Sequence, residues 1–263
     1  IMREPLKTSE RVDEGLYGME IEILNNISKE WVEIKTNYQY TGYVHTDDLI
    51  FDDNLINLWH TLEKKVVLAS CADVLIEARI QSSLKVTIPR GGIVGILSKR
   101  DVEGWIKVGL CDGSKGYMRE DHLGENIVNG TIKNEDLLRR DIVRTAYSYI
   151  GTGYRWGGKT PMGIDCSGLC FMSYYLNGIT IYRDAAIKEG FPIKEILFSQ
   201  IKEGDLLFFP GHVAMYIGNQ RYIHSTLKTA SDGVVLNSLN PKDKDYREDL
   251  PNKLIAVGSI FGG

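Results

Sequence analysis

The order of elements in the sequence predicts an α+β protein: two small all-β modules, then helices, then a run of antiparallel strands. Three observations carry that prediction. A tryptophan-and-glycine motif recurs once in the first half of the chain. After residue 125 the apolar residues switch to a 3.6-residue period. Short alternating strands then follow a glycine-rich loop to the end.

The repeat reads Trp31-Val32-Glu33-Ile34, Gly42-Tyr43-Val44 and Leu49, and again Trp105-Ile106-Lys107-Val108, Gly116-Tyr117-Met118 and Leu123. Tryptophan to glycine is 11 residues and tryptophan to leucine 18 in both copies. Alternation in these strands, and upstream in residues 18–24 and 92–97, predicts half-buried strands. Several short strands in so few residues predict a small barrel for each copy. Between the copies, Leu55, Leu58, Trp59 and Leu62 fit one face of a short helix. The expected boundaries are 1–51 for the first module, 52–65 for a helical linker, 66–126 for the second module and 127–263 for the last domain.

In that last domain, Leu137, Leu138, Ile142, Val143, Ala146 and Ile150 predict a helix over 136–150, with Asn134 as N-cap. A glycine-rich loop occupies 151–163. A second helix is predicted over 167–176 and ends at Asn177-Gly178. Strands are predicted over 206–209, 212–217, 222–226 and 254–260.

Composition is that of an ordinary globular chain, with 43% hydrophobic and 25% charged residues. With 31 basic and 35 acidic residues the net charge is −4, which gives no basic footprint for nucleic acid. No apolar run is long enough to predict a membrane span, and the opening Ile-Met-Arg-Glu-Pro has no leader pattern. The four cysteines, Cys71, Cys111, Cys166 and Cys170, are too few for a disulfide scaffold.

The chemistry concentrates at Asp165-Cys166-Ser167-Gly168, where the glycine-rich loop enters a helix. A cysteine there meets the free N–H groups and positive end of the helix, which favour a thiolate and can hold an oxyanion. A thiol nucleophile also needs a base. Of five histidines, only His212 and His224 lie in this domain, and both fall in predicted strands. An odd loop over 219–221 would pair Tyr216 with His224 and place both histidines on one face, whereas an even loop would separate them.

The two N-terminal copies resemble bacterial SH3-like domains. Tyr154-Arg155-Trp156-Gly157-Gly158, Asp165-Cys166-Ser167-Gly168, Gly204-Asp205-Leu206, Gly211-His212-Val213-Ala214-Met215-Tyr216 and Ile223-His224-Ser225 resemble, in order and spacing, the NlpC-type cysteine peptidases. That resemblance implies a papain-like catalytic domain cutting amide bonds of murein stem peptides. The pairing with two SH3-like modules resembles a subgroup of γ-D-glutamyl-L-diamino acid endopeptidases, which act on peptides with a free N-terminal L-Ala. It implies Cys166 as nucleophile, His212 as base and His224 as the residue orienting the base. It implies substrate contacts from Tyr154, Trp156, Asp165, Ser167, Arg183 and Asp184, and from Glu10 and Tyr43 in the first module, with Glu14 as an alternative to Glu10. Ala185 stands where the family often has serine. The resemblance implies no cofactor, no metal, a monomer and a place in the cell envelope, periplasmic or secreted. A cytoplasmic recycling role is compatible with the same chemistry.

Blander readings exist for several of these residues. Cys170, among Leu169, Phe171 and Met172, reads as core. A zinc set of Cys166, Cys170, His212 and His224 has the residue types but not the short knuckle spacing of tight zinc sites. Trp31 and Trp105 read as core, and Tyr43 reads equally well as core or as a site residue. Gly204-Asp205 reads as a turn. Two other function classes compete: a papain-like acyltransferase or amidase, expected to have a more apolar pocket, and a non-catalytic wall-binding protein, expected to lack Cys166 or His212.

Overall fold

Strands dominate residues 1–126 because β-branched and aromatic residues alternate there with polar ones between frequent turns. The computed structural model describes residues 1–126, 134–229 and 231–261. The chain divides into two compact units, Ile1–Asn126 and Ile127–Gly263. Residues 127–133, where the last expected domain begins, lie outside the described residues.

In the first unit, β1 (Ile21–Asn26), β2 (Trp31–Thr36) and β3 (Thr41–His45) form a three-stranded sheet in that order. Helix α1 (Asp53–Thr61) follows, capped by Asp52, whose carboxylate accepts from the N–H groups of Asn54 and Leu55. It is shorter than the expected 52–65, because β4 (Glu63–Val67) already starts the next sheet. That sheet continues with β5 (Cys71–Leu75), β6 (Leu84–Pro89), β7 (Ile93–Ile96), β8 (Trp105–Gly109), β9 (Lys115–Arg119) and β10 (Leu123–Glu125). Its spatial order is β10-β4-β7-β8-β9-β5-β6.

The repeat is visible in the pairing. Trp31 faces His45 and Ile34 faces Gly42; Trp105 faces Arg119 and Val108 faces Gly116. Glycine is required there by close approach. A Cβ on Gly116 would lie 2.4 Å from a Val74 methyl and 2.7 Å from the Leu75 carbonyl oxygen, and one on Gly42 would lie 2.5 Å from an Ile1 methyl. Both tryptophans are buried, as core residues should be. The expected closed barrels are not seen: the outer strands β1 and β3, and β10 and β6, do not pair with each other. The sequence supplies one strand upstream of β2, and β5 turns away from β9 after a single pair, Leu75 with Tyr117, at a bulge between Val74 and Leu75.

The second unit begins its described part with α2 (Glu135–Tyr147), capped as expected by Asn134, which accepts from Leu137 N–H at 2.9 Å. Two short strands, β11 (Lys159–Thr160) and β12 (Gly163–Ile164), form a hairpin before α3 (Cys166–Tyr175). Gly168 through Tyr174 of α3 are all buried, so this helix is apolar all round, as a central helix must be. Then come β13 (Lys194–Ile196), β14 (Leu206–Phe209), β15 (His212–Tyr216), β16 (Arg221–Lys228), β17 (Ser231–Ser238) and β18 (Ala256–Ser259). They form one antiparallel sheet in the order β13-β18-β14-β15-β16-β17. Leu207, Phe209, Ala214, Tyr222 and Val257 make a core on one face with Leu250.

Two features of this sheet position the site. The β15–β16 loop is Gly218-Asn219-Gln220, closed by Ile217 N–H donating to the Arg221 carbonyl at 2.9 Å, and all three residues have positive φ. Tyr216 therefore pairs with Tyr222, not with His224 as expected. The shift is two residues, so parity is kept and His212 and His224 still share a face. Gly218 causes the shift by taking the first left-handed position at no steric cost. The second feature is that the β15–β16 ladder contains only Met215–Ile223 and Tyr216–Tyr222. The first half of β15 is thereby left open toward α3.

Candidate active site

Asp165 ends the loop and starts α3. Its Oδ1 accepts the Gly168 N–H at 2.6 Å, and its Oδ2 accepts the Gly157 N–H at 2.8 Å. One carboxylate thus caps the helix and ties down the loop. Arg183 meets both oxygens at 3.2 Å and also donates to Ser167 Oγ at 2.8 Å and to the Gly158 carbonyl. Ser167 in turn donates to Asp165 Oδ1. The Arg183–Asp165 pair is almost fully buried, so each charge needs the other. Gly168 lets the loop pass this close: a Cβ there would lie 2.2 Å from the Gly158 carbonyl oxygen.

Cys166 follows as the first residue of α3, with 5% of its surface exposed. The backbone N–H groups of Ser167 and of Val213, the latter from the open half of β15, act on its sulfur in favour of the thiolate. The expected resting thiolate is not what this environment favours. Burial, then the Asp165 charge, push the thiol up to about 11, against the opposing pull of those N–H groups and Arg183. The desolvation of a nearly closed pocket outweighs those N–H groups and Arg183.

His212 opens β15. Its Nε2 lies 2.7 Å from Nδ1 of His224, and His224 Nε2 lies 2.8 Å from Oδ1 of Asn237. Asn237 stands opposite Tyr222 on β17, on the face that carries His224 two residues on. Burial, reinforced by the Arg247 charge, pulls His212 down to about 4. Burial and the His212 neighbour pull His224 down to about 3. Both imidazoles therefore rest neutral, and His212 Nδ1 is the ring nitrogen not engaged by His224.

The remaining expected residues fall in several places. Tyr154 bridges by backbone to Ile164, and burial, with Cys166 and Asp165 nearby, raises its phenol well above the ordinary value. Trp156 projects from the loop, 54% exposed. Asp184 accepts a hydrogen bond from Tyr182. Ala185 offers no hydroxyl at the turn after Arg183. Cys170 is buried and its thiol is raised by burial, as a core residue. Glu10 and Tyr43 belong to the first unit, where Met2 bridges to both Tyr43 and Arg11. Glu10 pairs there with Arg3 at 2.5 Å. Among the described residues no three His, Cys, Asp or Glu side chains converge as a metal site. Sequence reasoning missed Asn237 and the Val213 N–H. The strand bearing Asn237, Ser-Asp-Gly-Val-Val-Leu-Asn-Ser, is too polar to announce itself, and a backbone donor has no sequence signal.

The arrangement sets a thiol on a helix N-terminus, next to the backbone N–H of Val213, and the preceding strand residue on the other side of that peptide, His212, begins a chain of two neutral imidazoles. That is machinery for nucleophilic acyl transfer. Comparison with known proteins agrees. The NlpC/P60 family pattern matches residues 151–246. The chain is 44% identical over 260 residues to a dipeptidyl-peptidase 6 of Lysinibacillus sphaericus, covering 98% of this chain and 95% of that protein. It is 32% identical over 132 residues to a γ-D-glutamyl-L-lysine dipeptidyl-peptidase of Bacillus subtilis (strain 168), covering 46% and 41% of the two chains. Among solved structures, an NlpC/P60 family protein from Bacillus cereus ATCC 10987 shares the fold with a TM-score of 0.76 at 22% identity, over 94% of this chain and 81% of that one. With that near-complete match to a relative and a sulfur–imidazole site within the matched segment, the chain belongs to the NlpC/P60 family of cysteine peptidases.

Proposed function

We propose that this protein is a cysteine endopeptidase that hydrolyses the γ-D-glutamyl–diamino acid amide bond of murein stem peptides with a free N-terminal L-Ala. The observation that carries the reading is the His212–His224 pair, on the strand whose Val213 N–H acts on the buried Cys166, in a chain so similar to a dipeptidyl-peptidase. Cys166 gives its proton to Nδ1 of His212 as its sulfur attacks the γ-carbonyl of D-Glu. The helix N-terminus and the Tyr154 phenol face the developing oxyanion. The C–N bond breaks, and the His212 proton goes to the leaving amine of the diamino acid. Water, deprotonated by His212, then cleaves the thioester and releases L-Ala-γ-D-Glu. A neutral thiol–imidazole pair suits this, because the charges arise only when substrate has closed the site.

Arg183, Asp165 and Ser167 hold the nucleophile's turn. Both Asp165 oxygens are already engaged, so a substrate ammonium would share them with Arg183. Glu10 and Tyr43 carry the remaining expectation of amine recognition, and Trp156 and Asp184 that of substrate contact. We read the first unit as two SH3-like modules, 1–51 and 66–126, joined through 52–65, with the catalytic domain over 127–263. Its repeat pairing supports that reading. A monomer acting on murein in the cell envelope fits the substrate.

The test is hydrolysis of synthetic L-Ala-γ-D-Glu-diaminopimelate beside its N-acetylated twin, with Cys166→Ala as control. Cleavage confined to the free-amine peptide and abolished in the variant is expected. Equal cleavage of both peptides would remove the amine-reading role, and cleavage of neither would favour an acyltransferase or a non-catalytic wall-binding protein.

A further inference from the structure

We infer that Asn237 is the positioning residue that sets the tautomers of both site histidines, so that His212 rests with its proton on Nε2 and its Nδ1 bare. The inference rests on the reading of Cys166 and His212 as nucleophile and base, and adds a member that reading does not contain.

The Asp245 backbone carbonyl can only accept a hydrogen bond. Asn237 Nδ2 lies 2.6 Å from it, so the amide must turn its nitrogen that way and its oxygen toward His224. An amide oxygen also only accepts. His224 Nε2, 2.8 Å away, must therefore carry a hydrogen. A neutral imidazole has one N–H, so His224 Nδ1 is a lone pair. His212 Nε2, 2.7 Å from it, must then be the donor. His212 is left with a bare Nδ1, the form able to take a thiol proton. One carbonyl thus fixes two rings in series. The opposite tautomers would keep a hydrogen bond between the two rings but set the bare Nε2 of His224 against the Asn237 oxygen, with Asn237 6% exposed and His224 fully buried from compensating water.

The surroundings offer no competing anchor. Tyr222, edge-on to His224, has a buried hydroxyl without a hydrogen-bond partner. Arg247 is engaged by Asp249 and by Thr226. The charged groups acting on the pair are Arg247 and Asp249 from the segment after β17, and Asp165 at the cap of α3. Asp245, whose backbone carbonyl accepts from Asn237, has its side chain in an ion pair with Arg221. When His212 takes the thiol proton, an S–H bond is replaced by an N–H bond at Nδ1. Its Nε2–H remains, and His224 stays neutral throughout.

The direct test is nitrogen NMR of the histidine-labelled protein, which reads each ring nitrogen as protonated or bare, together with steady-state kinetics of Asn237→Leu and Asn237→Asp. The wild type should show His212 protonated at Nε2 and bare at Nδ1. Asn237→Leu should mix the tautomers and lower kcat by about 10²-fold with KM nearly unchanged, short of the roughly 10⁴-fold loss when a protease triad is locked in the wrong tautomer. Asn237→Asp accepts the same hydrogen bond, so it should recover most of that loss. Its added charge should move the acid limb of kcat/KM to higher pH. A wild-type His212 protonated at Nδ1, or unchanged tautomers and kcat in Asn237→Leu, would overturn the inference while Cys166→Ala still abolished activity. Full activity in Cys166→Ala would overturn the parent reading and the inference with it.

Discussion

The two halves of the site are held by opposite physics. On the nucleophile side, a buried ion pair organises a turn: Asp165 and Arg183 hold Gly157, Gly158, Ser167 and Gly168 in place around Cys166. On the base side no formal charge is used. Two neutral imidazoles and an amide line up across three strands and end on a backbone carbonyl. A turn close in sequence tolerates a costly ion pair because its partners are bound to meet. A file that must gain a proton in the reaction works better uncharged at rest.

That contrast gives different ways to fail. The larger expected effect is on the nucleophile side. Arg183→Met leaves the Asp165 carboxylate buried with its N–H donors but no counter-charge, which should cost about 3 kcal/mol or more. Thermal denaturation should show a drop on the order of 10 °C. The double variant Arg183→Met with Asp165→Leu should regain part of it, since it removes the orphan charge. A drop below about 1 kcal/mol in the single variant would mean that the pair does not hold the turn.

The smaller effect is on the base side and depends on pH. His212 sits at about 4 and His224 at about 3 in the folded protein, against 6.5 for the free side chain. Below 6.5 the unfolded chain binds protons that the native site refuses, so stability falls as pH drops from about 6.5 toward the native values. Each histidine contributes up to about 2 kcal/mol of this loss by pH 5. Urea midpoints at pH 7 and pH 5 should show it, and the His224→Asn variant should show a shallower slope. A flat profile in the wild type would mean that the imidazoles are not held neutral.

These halves also differed in how far the sequence reveals them. The nucleophile side is local: a glycine-rich loop, a capping aspartate and a helix are contiguous, and Asp165-Cys166-Ser167-Gly168 could be read directly. Even there the thiol's protonation was misjudged, because the helix end is visible in sequence while burial is not. The base side depends on register. Two strand histidines and an odd loop could be inferred, yet the pairing was two residues off because a glycine and two polar residues can close such a loop in more than one frame. Asn237 stayed hidden because its strand is polar and glycine-interrupted, held by eight pairs with β16 and not by its own apolar pattern. In the first unit the repeat predicted the strands but not their open edges, since closure depends on which distant strands meet.

The central claim is that Cys166 forms a thioester with the γ-carboxyl group of D-Glu. Rapid quenching of the enzyme with L-Ala-γ-D-Glu-diaminopimelate, followed by mass spectrometry of its peptides, tests it directly. The account predicts an added L-Ala-γ-D-Glu acyl group on the peptide containing Cys166, released by hydroxylamine and absent from Cys166→Ala. Turnover that continues in Cys166→Ala, with no adduct on the wild type, would contradict it.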